Sequence, residues 1–242
     1  MVHEALKRLT MIFTVQDIMT DNEQLKRADT FENANNLLHE YDVVPYPRRG
    51  KIEGFFQRGT FETTVIDPSL LIANSTSLVE LPKLLSQQPY YFVISGNDIA
   101  GYVHYSDLNK PITKIPFFAM FQLVERKFWD KMTHRISEKD LVTLFQGQAK
   151  GFIQKKEQAA SQNTDLGWTG IFTFPSILRL ARHYGLAHID DREITLLKET
   201  RNKIAHSDHN LVNSQSDVIE LAQAVDIFQH IISRLFRMKD AD

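Results

Sequence analysis

The chain has 242 residues, of which 43% are hydrophobic and 24% charged, and this predicts a globular protein with one large domain or two ordinary ones. It contains no cysteine, which excludes disulfides, thiolate zinc sites and cysteine nucleophiles. The formal net charge of -2 gives no global attraction for nucleic acid, so any such contact requires a local basic patch.

The segment 1–15, MVHEALKRLTMIFTV, interrupts its apolar positions with charges and so lacks the pattern of a signal peptide. No stretch of the sequence approaches the ~20 consecutive apolar residues of a membrane-spanning helix. We therefore expect a cytoplasmic protein with no membrane partner.

The region up to residue 112 alternates short strand patterns with short helical patterns. The order helix, strand, turn, strand, helix occurs twice, and residues 95–98 form the second turn. The copies lie roughly 45 residues apart, which indicates an internal repeat rather than a solenoid. The strand-like segments are YDVVPYP, KIEGFF, YYFVI and IAGYVH, and the helical segments are TFENANNLLHEY and LVELPKLLSQQ. These patterns predict an α/β domain over residues 1–112.

Residues 113–242 have few strand signals, and their apolar residues recur at helical spacing to the end of the chain. The spacing predicts an all-α bundle, which makes the whole chain an α+β protein. The five expected helices lie near 117–135, 137–160, 174–187, 190–206 and 216–237.

Capping signals mark the ends of several of these helices. Ser137 and Asp140 have the spacing of an N-terminal capping pair. Asp190 or Asp191 is expected to cap the penultimate helix, and Gly185 is expected at the C-terminus of the helix before it.

Two segments of the first domain carry a family resemblance. FTVQDIMT is similar to the opening segment, and DIAGYVHYSDLNK to the closing segment, of a CBS module. CBS modules are small α/β units that bind adenine nucleotides between two copies. The resemblance therefore implies that residues 1–112 are a tandem CBS pair that senses AMP, ADP or ATP.

The closing segment supplies the candidate nucleotide-binding residues. The resemblance implies a turn at Gly101, a phosphate-binding hydroxyl at Ser106 and a ribose-binding acid at Asp107. His104 replaces a hydroxyl of the family pattern, and its ring can still donate to a phosphate. From the residues alone, a carboxylate can accept from both ribose hydroxyls, and a hydroxyl at a helix N-terminus adds a donor for phosphate. The alternative is that Ser106 and Asp107 only cap the helix that follows.

The first copy lacks the matching residues. Its corresponding segment, EGFFQRGTF, has Gly59 and Thr60 in place of the hydroxyl and the acid. At most one ribose site is therefore intact. The basic segment at 47–51, PRRGK, is either an ordinary exposed turn or a contact for the phosphate of a ligand.

The penultimate helix of the second domain places a charge on its apolar face. At about 100° per residue, Ile194, Leu197, Arg201 and Ile204 lie in one sector, so Arg201 is expected to point inward. An unpaired buried guanidinium is costly, so a partner is required. Glu125 lies on the apolar stripe of the helix near 117–135, and we expect it to form an ion pair with Arg201.

Arg201, Asn202 and His206 form an RNxxxH motif with four residues between Arg201 and His206. The motif and its place near the end of the penultimate helix resemble a HEPN domain, an all-α fold with ribonuclease members. The resemblance implies a catalytic Arg201, Asn202 and His206, an RNA partner, and a two-fold homodimer that unites the motifs. A dimer is also favoured because Arg201 and His206 diverge by about 140° on a regular helix.

This set of residues suits RNA cleavage without a cofactor. A histidine can take the proton of a 2′-hydroxyl, an arginine can hold the phosphate, and an asparagine can orient the histidine. No pattern such as H-E-x-x-H indicates a metal. The alternative is a structural arginine with a histidine at a helix C-terminus, which leaves a non-catalytic nucleotide-sensing or dimerisation module. Sensor domains joined to HEPN nucleases recur in stress and phage defence, so the resemblance implies that setting.

Overall fold

The computed structural model describes residues 11–162, 168, 170–206 and 208–237. These residues fall into two compact units. The mixed unit comprises residues 11–116 and 210–222, and the helical unit comprises the described residues of 117–209 and 223–237. Segment 210–222 follows the RNxxxH motif in the sequence and nevertheless belongs to the mixed unit.

The mixed unit contains seven strands and two short helices among its described residues, and these include both predicted copies of the helix and strand pair. In chain order they are β1 (Thr20–Asp21), α1 (Phe31–Leu37), β2 (Val43–Tyr46), β3 (Gly54–Gln57), β4 (Thr64–Val65), β5 (Leu71–Ala73), α2 (Leu81–Leu85), β6 (Tyr90–Ser95) and β7 (Asp98–His104).

The strands of the mixed unit form two sheets. One has the order β1-β7-β6-β5, in which only the β5 and β6 pair is parallel, and the other has the antiparallel order β2-β3-β4. The predicted turn between β6 and β7 is confirmed, because Gly96 lies there with φ of 61°, a conformation that glycine adopts without strain. Phe55 of β3 and Phe92 of β6 pack with ring centroids 5.4 Å apart, which joins the two sheets in one core.

Six longer helices follow, and α3 and α8 contribute residues to both units. They are α3 (Pro111–Met132), α4 (Glu138–Phe145), α5 (Ala149–Ser161), α6 (Phe174–His183), α7 (Asp191–Ala205) and α8 (Gln215–Arg237). In the helical unit Phe121 packs on Phe174 and Phe228, with ring centroids 5.5 and 4.0 Å away. These three rings join α3, α6 and α8 in one core.

The predicted helix near 137–160 is wrong as a single element. The chain breaks at Gln146, which has φ of 35°, and a short 3₁₀ turn separates α4 from α5. The break brings Phe145 and Phe152 together edge to face, with ring centroids 5.3 Å apart. Burial of these aromatic rings outweighs the continuity that the helical spacing predicts.

The capping predictions are confirmed. The backbone N–H of Asp140 donates to Oγ of Ser137 at 3.2 Å, and the backbone N–H of Glu193 donates to the carboxylate of Asp190 at 2.8 Å. Gly185 follows α6 with φ of 70°. These contacts satisfy the free backbone groups at the ends of α4, α6 and α7.

Candidate functional site

A cavity of about 420 Å³ lies in the mixed unit, where the end of β7 meets the start of β2. Three of the four predicted nucleotide-binding residues line it, namely His104, Ser106 and Asp107. Lys26 and Asp42 also line it. The structure therefore brings the closing segment of the second copy against residues of the first copy.

His104 is positioned by a network of polar contacts. Its Nδ1 lies 2.8 Å from Oγ of Ser106, and its Nε2 lies 3.1 Å from Oδ2 of Asp42. The Nε2 atom is buried, but its geometry toward Asp42 is not that of a hydrogen bond. Burial lowers the pKa of His104, and the nearby charges of Asp42 and Asp107 oppose this change. The buried Nε2 therefore lies against the carboxylate of Asp42, which fixes the ring in the wall of the cavity.

Asp107 has a capping role as well as a place in the cavity. One carboxylate oxygen accepts the backbone N–H of His104 at 2.8 Å, and the other lies 2.9 Å from Nζ of Lys110. His104 is the N-cap of the 3₁₀ helix Tyr105–Asn109, and Asp107 completes its capping box. The capping alternative is thus confirmed for Asp107, with His104 rather than Ser106 as the N-cap. Each carboxylate oxygen can accept a second hydrogen bond, so capacity for a ligand remains.

The expected turn at Gly101 is wrong, because this residue lies in a strand. It lies inside β7, paired with Asp21 of β1, and it is not among the residues that line the cavity. A Cβ atom at this position would lie 2.6 Å from the carbonyl oxygen of Thr20 and 3.0 Å from Sδ of Met19. The glycine therefore permits the close approach of β1 to β7, and two of its neighbours, Thr20 and Tyr102, line the cavity.

The cavity has a negative character. Glu40, Asp42 and Asp107 line it together with the single basic residue Lys26. Burial raises the pKa of the Tyr102 hydroxyl in the cavity wall, and the charge of Asp42 raises it further. This environment favours hydroxyl or cationic groups of a ligand over its phosphates.

A second cleft, of about 480 Å³, has the opposite character. It shares Leu25 and Lys26 with the cavity and adds Arg27 and Arg48. Arg48 belongs to the basic segment 47–51, for which the sequence suggested a contact with phosphate. A bound anion is better matched by the charges of this cleft than by those of the cavity.

The RNxxxH motif lies at the C-terminal end of α7. Arg201 and Asn202 are half-buried, whereas His206 is exposed at the C-cap, where its backbone N–H donates to the carbonyl of Asn202 at 3.1 Å. The ring of His209 lies 5.3 Å from that of His206, centroid to centroid. His209 is outside the RNxxxH motif, although its position three residues after His206 places it close in the sequence.

The expected ion pair between Glu125 and Arg201 does not form. Both side chains are half-buried, and no hydrogen bond or ion pair joins them among the described residues. Burial raises the pKa of Glu125, and the positive charge of Arg201 offsets part of this rise. The two groups therefore interact through space. Arg201 reaches water in part, so it does not need the direct partner that full burial would require.

The described residues offer neither a cluster of metal ligands nor a membrane-spanning helix. This part of the chain has no group of three histidine, aspartate or glutamate side chains placed to hold a metal ion. None of its helices combines the length and the apolar content needed to cross a bilayer.

No family model and no curated protein matches the chain. Solved structures of CBS domains are similar to part of it. The CBS domain of a bacterial CNNM/CorC family Mg²⁺ transporter in complex with ATP is 19% identical over 45% of this chain and 94% of that one, with a TM-score of 0.33. The same kind of domain with the inhibitor IGN95a is 20% identical over 46% and 82%, with a TM-score of 0.34. A CBS domain-containing protein of unknown function from Bacillus anthracis str. Ames Ancestor is 12% identical over 45% and 98%, with a TM-score of 0.36.

Proposed function

We propose that the mixed unit binds an adenine nucleotide in the cavity beside β2 and β7 and acts as a nucleotide sensor. The observation that carries this proposal is the convergence of His104, Ser106, Asp107 and Asp42 on one cavity, with Asp42 in contact with His104. Polar groups that converge in a concave site are the usual mark of a small-molecule site.

The charges suggest how the nucleotide lies. The carboxylates of Asp42 and Asp107 are acceptors for ribose hydroxyls. The phosphates leave the negative cavity and extend into the neighbouring cleft, where Arg27 and Arg48 can neutralise them. This orientation favours a nucleotide over a free nucleoside.

Calorimetry with ATP and AMP tests this proposal. Asp107→Asn keeps the size of the side chain but removes its charge and one acceptor, and we expect at least tenfold weaker binding. The matched control is Asp98→Asn, because Asp98 also lies on β7 but is exposed and pairs with Lys51 outside the cavity. Equal affinity of the Asp107→Asn variant and the wild type would show that the nucleotide binds elsewhere.

We propose as a second candidate function that the helical unit cleaves RNA through Arg201, Asn202 and His206. The supporting observation is that His206 is exposed beside two half-buried polar residues, an arrangement open to a large substrate. His206 would accept the proton of a ribose 2′-hydroxyl, whose oxygen attacks the phosphorus as the bond to the 5′-oxygen breaks. A proton from a second histidine or from water completes the 5′-hydroxyl, and the other product is a 2′,3′-cyclic phosphate.

A homodimer follows from the same proposal. α7 is regular as far as Ala205, so Arg201 and His206 project in different directions from one protomer. A two-fold axis beside the end of α7 would supply Arg201 from one protomer and His206 from its partner. Arg201 would then hold the phosphate, and Asn202 would orient the ring.

Incubation of the protein with total RNA in EDTA, with and without ATP, tests the second candidate. We expect fragments that end in a cyclic phosphate, and at least a hundredfold loss of cleavage in His206→Ala. His39→Ala is the matched control, since His39 is also exposed but lies in the mixed unit. Absence of cleavage that depends on His206 would leave the nucleotide-sensing module as the function.

A further inference from the structure

A groove of about 710 Å³ lies in the helical unit, between the segment 187–189 and the C-terminal part of α8. It contains none of the residues of the RNxxxH motif. Its apolar part is formed by Ile189, Ile227 and Ile231. Ile189 and Ile231 are buried by the core beneath the groove, so they form a fixed apolar floor.

The polar wall of the groove is basic. His230, Arg234 and Arg237 follow one another at spacings of four and three residues, which places them on one face of α8. His188 adds a further ring to this wall. Glu193 is the acidic residue of the lining, and its carboxylate already accepts the backbone N–H of Asp190 at 2.8 Å in the cap of α7.

Arg234 has an unmet requirement for an acceptor. Its Nη2 donates to the carbonyl of Gly185 at 3.0 Å, whereas its buried Nε has no hydrogen-bond partner. None of the ion pairs within the part of the chain that the structure describes includes Arg234 or Arg237. The buried Nε lies out of reach of a ligand, but a partly desolvated guanidinium without an acid is unfavourable, and an anion bound to its Nη atoms would supply the missing charge.

Basic residues in the last turns of a helix ordinarily complement its dipole. This role suffices for Arg237, which is exposed at the end of α8. It does not account for Arg234, because its guanidinium donates across to Gly185 rather than to the last carbonyls of its own helix.

We propose that this groove binds a phosphate monoester that carries an apolar group, such as an aryl phosphate. The planar guanidinium groups of Arg234 and Arg237 match the oxygens of a phosphate dianion, and His188 and His230 provide further ring nitrogens around it. The apolar group lies on the floor formed by Ile189 and Ile231, beside Ile227. The site is independent of the nucleotide cavity of the mixed unit.

Calorimetric titration with 1-naphthyl phosphate tests the proposal on the full chain. We expect saturable binding by the wild type and at least tenfold weaker binding by Arg237→Gln and Arg234→Gln. The wild type should also bind 1-naphthol and inorganic phosphate at least tenfold more weakly than 1-naphthyl phosphate. Arg237→Gln is the decisive variant, because this exposed residue can be replaced without disturbing the core.

Two matched variants distinguish binding in this groove from binding to exposed positive charge in general and from binding in the nucleotide cavity. Arg192→Gln removes an exposed arginine of the same unit that does not line the groove, and Asp107→Asn impairs the proposed nucleotide cavity. Both should bind 1-naphthyl phosphate as the wild type does. The proposal is overturned by unchanged binding in Arg237→Gln, by an equal loss in Arg192→Gln, by loss in Asp107→Asn, or by equally tight binding of 1-naphthol.

Discussion

Replacement of Gly101 by alanine, which adds a single methyl group, should destabilise the mixed unit. A methyl group there would lie 2.6 Å from the backbone oxygen of Thr20, which cannot rotate away as a side chain could. We expect Gly101→Ala to lower the free energy of unfolding by about 1–3 kcal/mol, the usual cost of overpacking. Urea unfolding, followed by circular dichroism, measures this change.

Gly151 provides the control for this prediction. It lies inside α5, and a Cβ atom at its position would have no neighbour within 4 Å. Gly151→Ala should therefore raise the free energy of unfolding, by about 0.5–1 kcal/mol, because alanine is the better helix former. An unchanged stability of Gly101→Ala would mean that β1 does not pack against β7 as described.

For Arg201, helical spacing predicts the direction of the side chain but not the depth of its burial. Helical spacing predicted an ion pair with Glu125, and the charge of Arg201 does offset part of the rise that burial causes in the pKa of Glu125, although no hydrogen bond or ion pair joins these two described side chains. Spacing does not report how deeply a long side chain is buried, because the stem can lie on apolar surface while the charged end reaches water. Only the structure shows that Arg201 is half-buried.

At the scale of the elements, Asp140 links the start of α4 to the end of α6. Its carboxylate accepts Oγ–H of Ser137 at 2.6 Å and the hydroxyl of Tyr184 at 2.8 Å, and Nε2 of His183 lies 3.2 Å away. The hydrogen bond from Ser137, followed by that from Tyr184, lowers the pKa of Asp140. In turn, burial and then the bond to Asp140 raise the pKa of Tyr184 to about 12.

The direction of this shift predicts how stability depends on pH. Because the pKa of Asp140 is lower in the folded than in the unfolded chain, its contribution is present above the unfolded value of about 4 and is lost as the pH falls below it. Asp140→Asn should therefore lower the urea midpoint at pH 6, and the difference from the wild type should shrink at pH 3. Glu138→Gln, in the same first turn of α4, is the control and should show a smaller difference. A loss of equal size at both pH values would contradict the prediction.

The elements that the sequence predicted are those with a strong local signal. Both strand pairs of the repeat, the turn at Gly96 and the caps at Ser137 and Asp190 follow from side-chain periodicity and capping chemistry. β1 and β5 have only two and three residues, and they exist because longer strands pair with them. The break at Gln146 likewise depends on aromatic packing between α4 and α5. Such features are set by tertiary contacts, which a single sequence does not display.

The sequence predicts three residues of the candidate nucleotide site, but it does not predict that acidic residues outnumber basic ones in the lining. His104, Ser106 and Asp107 follow one another closely in the sequence, so their proximity was expected. Asp42, which stands opposite His104, comes from the other copy of the repeat and carries no motif of its own. The role of Asp107 in the cap of its own 3₁₀ helix also emerged only from the backbone geometry.

At the scale of the whole molecule, the proposed sites are divided between the two units. The nucleotide cavity lies in the mixed unit, and the RNxxxH motif lies in the helical unit. The segment 210–222, which belongs to the mixed unit, is held by hydrogen bonds that Asn109 exchanges with the backbone of Val212 at 2.7 and 2.9 Å. The boundary between units is thus crossed by the chain more than once, unlike the single change at residue 112 that the sequence predicts.

The central claim is that an adenine nucleotide occupies the cavity of the mixed unit. A crystal structure of the full chain grown with saturating ATP tests it most directly, because it locates the bound molecule. We expect the ribose hydroxyls to lie within hydrogen-bond distance of Asp107 or Asp42 and the phosphates to point toward Arg27 and Arg48. An empty cavity at saturating nucleotide, or a nucleotide bound only at another place on the chain, would contradict it.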